Sequence, residues 1–215
     1  MNYTVTAHTG CMNTQPNTIE SIITGFNSGA DIVEIDVRFD KNNVPVLSHD
    51  AVNNNINYAT LSQAFDVLKK YGGKKMNIDL KEFGNIKSIQ DLAKSKSVLS
   101  QIFFTGVEDD FIDLVKSNCP SIPYYLNFSK KSGMTKFESY IKFLIDKTKS
   151  SGAMGINLNK ESCNDKLIDR FKKEQLLVSL WTVTDTKNDK VYLDMNVDNI
   201  TCKNPDEVLA YIGKH

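Results

Sequence analysis

The sequence predicts an α/β fold, a TIM (β/α)8 barrel with a β-hairpin extension after the second strand. Eight strand-like segments alternate with helix-like segments from one end of the 215-residue chain to the other. No low-complexity linker or change in composition marks a domain boundary, so we expect a single barrel domain over residues 1–215. Eight βα units in a chain of this length fit a compact barrel.

The barrel strands are predicted from short runs rich in β-branched and aromatic residues. In chain order they are residues 3–8, 31–39, 75–81, 101–106, 122–127, 153–159, 177–183 and 197–203. Several segments between them have apolar residues at i, i+3 and i+4 and open with Asn, Thr or acidic residues, as helices do. The clearest predicted helices are residues 17–29, 61–72, 108–118 and 136–149.

One extended segment cannot be a barrel strand. Residues 44–50 follow the second strand after only a few residues, whereas a parallel crossover needs about a dozen or more. The segment is therefore predicted to turn back as a hairpin. With a turn over residues 40–43, Phe39 pairs with Val44, and this register places Glu34 opposite His49.

Composition excludes several classes of protein. The 26 basic and 26 acidic residues cancel, so no excess of positive charge favours nucleic acid. No apolar run approaches the roughly 20 residues that span a bilayer, and the start of the chain lacks the pattern of a secretory signal peptide, so we expect a cytoplasmic protein. The four cysteines form no CxxC pair, which favours reduced thiols over a zinc site or disulfides.

Two of the three histidines fall where a barrel keeps its active site, at the C-terminal ends of strands. His8 ends the first strand and His49 ends the hairpin, whereas His215 is the terminal residue. A lone histidine is more often a hydrogen-bonded core or surface residue. As a pair at strand ends, His8 and His49 are candidates for proton transfer.

Acidic residues lie on two neighbouring strands. Glu34 and Asp36 are two residues apart and point to one face, and Asp79 and Lys81 repeat this spacing on the next barrel strand. If that face is the interior, the four groups carry a net charge of −2 that a divalent cation would neutralise. Oxygen ligands favour Mg²⁺, Ca²⁺ or Mn²⁺. The alternative is that Glu34 or Asp36 faces outward against helix lysines.

A cation with two histidines suits phosphate-ester chemistry. The metal and Lys81 would stabilise charge on the phosphate oxygens, while one histidine takes a proton and the other supplies one. It is the combination of groups, more than any single motif, that supports this interpretation.

These residues lie in motifs that resemble those of the glycerophosphodiester phosphodiesterases, within the phospholipase C-like TIM-barrel phosphodiesterases. The motifs are AHTG from Ala7, NTIES from Asn17, GADIVEIDVRFDKNNVPVLSHD from Gly29, NIDLK from Asn77, LWTVTD from Leu180 and VDNITCKNP from Val197. They cover almost the whole chain in family order. The EIDVRFDKNNVPVLSHD block is the specific part.

The resemblance implies a role for each candidate residue. It implies that His8 and His49 are the catalytic pair, that Glu34, Asp36 and Asp79 bind one divalent cation, Mg²⁺ or Ca²⁺, and that Lys81 contacts phosphate. It also implies that Trp181, the only tryptophan, lines the pocket. Without the resemblance, Trp181 would be interpreted as a core residue, since buried aromatic side chains mostly pack.

The sequence departs from the family pattern at three places. Thr9 stands where the family has a phosphate-holding arginine, Pro16 where it has a metal-binding glutamate, and Cys202 and Lys203 where it has a TD pair. Proline cannot ligate a metal, and losing a bidentate arginine weakens the grip on phosphate. The remaining carboxylate set resembles the metal shell of spider-venom sphingomyelinase D, a branch of the same superfamily.

Three hypotheses follow. The first is a metal-dependent hydrolase that cleaves glycerophosphodiesters, small molecules, to glycerol 3-phosphate and an alcohol. The second is a lysophospholipid-cleaving phosphodiesterase of the sphingomyelinase D type. The third is a catalytically silent barrel that binds phosphate esters or a protein, since a fold alone does not guarantee function. Two retained histidines argue against the third, because a binding module has no need of an acid/base pair.

Overall fold

The structure is a computed structural model that describes residues 3–53, 55–128 and 137–213. Two sequence predictions fall partly or wholly outside these residues. Lys136, the predicted start of a helix, and His215 lie outside the described residues.

Eight parallel strands close into a barrel, which confirms the predicted fold class. Around the barrel the order is β1, β2, β4, β5, β6, β7, β8 and β9, with β9 paired to β1, and β3 is antiparallel to β2 at its C-terminal half. The strands are β1 (Thr4–Ala7), β2 (Ile32–Phe39), β3 (Pro45–Leu47), β4 (Lys75–Leu80), β5 (Ile102–Val107), β6 (Tyr124–Asn127), β7 (Gly155–Asn159), β8 (Leu177–Val183) and β9 (Asn199–Cys202). All eight predicted barrel strands are present.

Helices follow the barrel strands. They are α1 (Ile19–Asn27), α2 (Leu61–Leu68), α3 (Ile86–Lys96), α4 (Ile112–Asn118), α5 (Phe137–Ser151), α6 (Asp165–Lys173), α7 (Lys190–Leu193) and α8 (Pro205–Tyr211). Side chains cap the starts of α1 and α2: Thr18 accepts a hydrogen bond from the Ser21 N–H, and Thr60 and Gln63 form a reciprocal capping box. These caps fix where α1 and α2 begin.

The barrel interior contains a layer of polar side chains below the strand ends. Asn199 accepts hydrogen bonds from Thr4 and Thr6 and donates one to Ser179, all from strands β1, β8 and β9. Thr105 makes the corresponding contact with Asn77 across β4 and β5, 2.9 Å between oxygens. Every buried polar side-chain atom of the described residues has a hydrogen-bond partner. The polar groups of this layer are therefore paired with one another inside the barrel.

The predicted hairpin is present, but its predicted register is wrong by one residue. Phe39 pairs with Pro45 rather than Val44, and Val37 pairs with Leu47. The cause is Asn43, whose φ of 60° adds a left-handed residue to the turn and lengthens the loop to three residues. Glu34 is therefore not opposite His49, and the Ser48 N–H instead donates to the Asp36 carbonyl.

The Asp40 side chain holds this turn together. Its Oδ1 accepts hydrogen bonds from the backbone N–H groups of Asn42 and Val44, each 2.8 Å long. We expect Asp40→Ala to lower the free energy of unfolding by about 1 kcal/mol, and Tm by about 2–4 °C. Thermal melting followed by circular dichroism measures the shift. Lys41→Ala at the exposed hairpin tip is the matched control, and an equal shift in both variants would contradict this role.

All four cysteines, Cys11, Cys119, Cys163 and Cys202, are free and buried, as the sequence predicts. Among the described residues no helix combines the length and apolar character that crossing a bilayer requires.

Candidate active site

A cavity of about 510 Å³ opens at the C-terminal ends of the barrel strands. All seven residues singled out from the sequence line it: His8, Glu34, Asp36, His49, Asp79, Lys81 and Trp181. The fold therefore brings together groups that are up to 173 positions apart in the chain.

Three carboxylates form the floor of the cavity. Glu34 and Asp36 are two residues apart on β2 and point inward, and Asp79 is the direct neighbour of Asp36 on β4. One oxygen of each of these three side chains lies within 4.8 Å of the others. Glu34 and Asp36 are buried, with 7% and 3% of their surface exposed. The alternative of outward-facing carboxylates is wrong.

Neighbouring groups fix the orientation of each carboxylate. Glu34 accepts a hydrogen bond of 2.9 Å from the Thr9 N–H, and Asp79 accepts one of 2.8 Å from the Thr105 hydroxyl. Asn17 makes two contacts with Asp36: its side-chain amide donates to the carboxylate, and its oxygen accepts from the Asp36 N–H. These donors hold the carboxylates close together despite their like charge.

Lys81 is the cation in contact with this cluster. Its Nζ lies 3.0 Å from Asp36 Oδ1 and 2.5 Å from Asp79 Oδ2. The two carboxylates raise the pKa of Lys81 above its ordinary value, although burial opposes this. Lys81 is therefore charged and offsets part of the negative charge.

The cluster remains short of positive charge at Glu34. Burial and the neighbouring Asp36 and Asp79 raise the pKa of Glu34 well above its ordinary value, against the opposing effects of the Thr9 hydrogen bond and Lys81. Three carboxylates with one lysine are a donor set that fits a hard divalent cation. The described residues thus include an acidic triad that could hold a metal ion.

His8 lies beside Glu34 at the end of β1. Its Nδ1 is 2.7 Å from the Thr9 carbonyl oxygen, 2.8 Å from Lys203 Nζ and 3.8 Å from Glu34 Oε2. Burial, assisted by the charge of Lys203, lowers the pKa of His8. With Nδ1 engaged, Nε2 is left for proton exchange.

His49 lines the cavity from the hairpin. Its side chain is 68% exposed, and its Nδ1 lies 2.9 Å from an oxygen of Asp50. As in His8, the contact at Nδ1 leaves Nε2 for proton exchange. The two histidines thus approach the cavity from β1 and from the end of β3.

The cavity has an aromatic wall, defined here as Phe83, Phe111, Phe128 and Trp181, of which the sequence interpretation named only Trp181. Phe83 and Phe111 stack with ring centroids 3.7 Å apart and planes within 1° of parallel. Phe83, Phe111 and Phe128 follow β4, β5 and β6, so they lie beside one another at the cavity. Trp181 is 37% exposed, and its interpretation as a core residue is wrong. The sequence signal that could have identified the three phenylalanines is their position within four residues of the end of a strand.

Two asparagines at strand ends also line the cavity, Asn127 and Asn157. The Asn127 oxygen accepts a hydrogen bond from the Gly106 N–H. Asn159, two residues beyond Asn157, instead caps the turn at Lys160–Ser162.

Thr9 and Pro16 show how the sequence departures are accommodated. The Thr9 backbone contacts Glu34, and its hydroxyl accepts a hydrogen bond of 2.6 Å from the Asn17 N–H. Pro16 packs closely over Gly10, where a Cβ would lie 2.8 Å from the proline ring. Both residues help to shape the loop that carries Asn17. Neither side chain is charged, so neither supplies a charged group to the cavity.

Many solved structures match this fold, among them three at 15–20% identity. A glycerophosphodiester phosphodiesterase from Parabacteroides distasonis superposes with a TM-score of 0.78 at 20% identity, covering 99% of this chain and 97% of that one. One from Agrobacterium tumefaciens gives 0.78 at 15% identity, covering 99% and 100%. A phosphodiesterase from Oleispira antarctica, solved with the product sn-glycerol-3-phosphate, gives 0.74 at 18% identity, covering 98% and 97%.

The sequence itself gives a family assignment. Comparison with curated proteins finds no match. The sequence profile of the glycerophosphoryl diester phosphodiesterase family, however, matches residues 8–82 and 53–207, and the two matches together span both histidines, the acidic triad and Trp181. The chain therefore belongs to the glycerophosphoryl diester phosphodiesterase family and is an enzyme of this class.

Proposed function

We propose that the enzyme hydrolyses glycerophosphodiesters to glycerol 3-phosphate and an alcohol, with one divalent cation and a pair of histidines. The convergence of His8, His49 and the acidic triad on one cavity is the observation that carries the proposal. The glycerol 3-phosphate bound to the Oleispira antarctica phosphodiesterase supports this choice of product.

Glu34, Asp36 and Asp79 would hold the cation, Mg²⁺ or Ca²⁺. When bound, such an ion stabilises negative charge on phosphate oxygens. Lys81 adds a second positive charge beside Asp36 and Asp79, where it can contact the same phosphate. The protein thereby concentrates positive charge where the reaction develops negative charge.

The two histidines exchange protons on either side of the phosphorus. One accepts a proton from the attacking hydroxyl, and the other donates a proton to the leaving alcohol oxygen as the P–O bond breaks. In each ring Nδ1 lies against neighbouring groups, Thr9 and Lys203 for His8 and Asp50 for His49, so Nε2 is the atom that performs the transfer. The same pair serves attack by water or by an adjacent substrate hydroxyl.

A second candidate is hydrolysis of a lysophospholipid, and the aromatic wall favours it. Phe83, Phe111 and Phe128 give the β4–β6 side of the cavity an apolar surface, opposite in character to the charged β1–β2 side. An apolar wall of this kind can take the hydrocarbon part of a substrate. Product analysis on lysophosphatidylcholine tests this candidate, and no turnover of the lipid would exclude it.

The test of the main proposal is release of glycerol 3-phosphate from glycerophosphocholine and glycerophosphoethanolamine, with Mg²⁺, with Ca²⁺ and with excess chelator. We expect release with at least one metal and at least 10²-fold less with chelator, because loss of charge stabilisation worth a few kcal/mol has this effect. Full activity in chelator would contradict the metal dependence. Metal binding without turnover of any diester would favour the silent barrel.

A further inference from the structure

Lys203 lies directly behind His8, on the side of the ring away from Nε2. Cys202 on β9 pairs with Ala7 on β1, so the residues that follow, Lys203 and His8, emerge side by side. The Lys203 backbone is fixed from both directions: its N–H donates to the Val183 carbonyl, and its carbonyl accepts from the Met12 N–H. The root of this side chain is therefore held in place.

The Lys203 ammonium forms a compact group with the Thr9 carbonyl and the His8 ring. Nζ donates a hydrogen bond of 2.7 Å to the Thr9 oxygen and lies 2.8 Å from His8 Nδ1, and that nitrogen is itself 2.7 Å from the same oxygen. An ammonium has three protons to donate and no acceptor. Nζ can donate to both atoms at once only when Nδ1 carries no proton, so Lys203 favours the neutral tautomer of His8 with the proton on Nε2 and limits rotation of the ring.

Among the described residues, no carboxylate is paired with the Lys203 ammonium, whereas Lys81 and Lys160 both form ion pairs with carboxylates. Lys203 is not among the residues that line the cavity, whereas His8 and Lys81 are. The acidic groups near His8 are Glu34, 3.8 Å from Nδ1, and Asp36 and Asp79, and they come from β2 and β4.

We propose that Lys203 is a positioning residue that holds His8 in one ring orientation and one tautomer, with Nε2 directed to proton exchange. The proposal rests on the acid/base role proposed for His8. A side chain that must transfer a proton at one defined atom is usually held by a third group. The holding group here is a cation that also ties down the carbonyl of the next residue.

The first test is kinetic and uses a double-mutant cycle. We expect Lys203→Met, which keeps the length of the side chain but removes the donors, to lower kcat by about 10²-fold, the effect of a misplaced reacting group. KM should change less than about threefold, since the group does not bind substrate. In a His8→Ala background Lys203→Met should cause no further loss, because residues that act as a unit are not additive. Lys203→Arg, which keeps donors, should recover part of the activity.

The second test does not depend on turnover. Nitrogen chemical shifts of the histidine rings report the tautomer, and the chain has only three histidines, so His8→Ala assigns the His8 signals. We expect only the tautomer with the proton on Nε2 for His8 in the metal-free wild-type protein, and a mixture of tautomers in Lys203→Met; a single tautomer with the proton on Nδ1 in the wild-type protein would contradict the proposal. This readout separates failure of the positioning role from failure of the proposed phosphodiesterase mechanism.

Lys70→Met is the matched control, because Lys70 is an exposed lysine after α2, at the opposite end of the barrel. It should leave kcat and the His8 signals unchanged, and Lys203→Gln serves if Lys203→Met fails to fold. A rise in KM at constant kcat, an equal loss of kcat in the His8→Ala background, or unchanged His8 signals in Lys203→Met would each overturn the proposal.

Discussion

Replacing either His8 or His49 with alanine is expected to lower kcat by about 10²–10⁴-fold, the usual contribution of a general acid or base. The expectation follows from the geometry, since both rings line one cavity and both have Nδ1 occupied by a neighbour. KM should change little, because proton transfer is made in the transition state and not in the substrate complex. Steady-state kinetics of glycerol 3-phosphate release measures both parameters.

Three further variants sharpen this test. Asp50→Ala removes the exposed partner of His49 and should cost less than tenfold, since exposed charge pairs contribute little. Lys41→Ala, at the tip of the same hairpin, should leave kcat unchanged. The double variant His8→Ala with His49→Ala should lose less than the product of the single losses. Retention of kcat in either single alanine variant would eliminate that histidine from the mechanism.

Glu34→Gln is expected to lower metal-dependent turnover by at least 10²-fold while making the metal-free protein more stable. Glutamine keeps an oxygen to accept the Thr9 N–H but cannot take up the negative charge that the buried site beside Asp36 and Asp79 disfavours. We expect Tm of the metal-free protein at neutral pH to rise by about 2–4 °C, corresponding to about 1 kcal/mol. Calorimetry with and without Mg²⁺ or Ca²⁺ measures the change.

The sign of the pH dependence follows from the raised pKa of Glu34. Below the ordinary value of 4.5 the carboxyl is protonated in both the folded and the unfolded chain, so it contributes no difference. Between that value and the raised native pKa, only the folded chain retains the proton, and the contribution to the free energy of unfolding falls as pH rises. The gain in Tm of Glu34→Gln over the wild-type protein should therefore be absent near pH 4 and grow toward neutral pH.

Glu20→Gln, on exposed surface of α1, is the control for this prediction. An equal Tm gain at pH 4 and pH 7 would contradict the assignment.

Much of this structure follows from the sequence because strand and helix periodicities are local signals. Glu34 and Asp36 share a face by their spacing alone, and the barrel then places Asp79 next to Asp36. The hairpin register was wrong because it depended on one residue, Asn43, adopting a left-handed conformation that the sequence pattern does not require.

Such local signals do not predict contacts between loops that lie far apart in the chain. The stack of Phe83 on Phe111 joins two loops, and the contact of Lys203 with His8 joins the two ends of the chain. Each depends on how far a side chain reaches across the closed barrel. The sequence marks Lys203 as unusual for the family, but only the structure shows what its ammonium contacts.

The hairpin gives the two proposed proton-transfer residues different freedom to change during evolution. His8 ends a strand enclosed between β9 and β2, so moving it would require reopening the ring of parallel strands. His49 follows a three-residue strand that is paired outside that ring, with β2 and with Thr60. Insertions in the hairpin turn can therefore shift His49 relative to the carboxylates without disturbing the barrel.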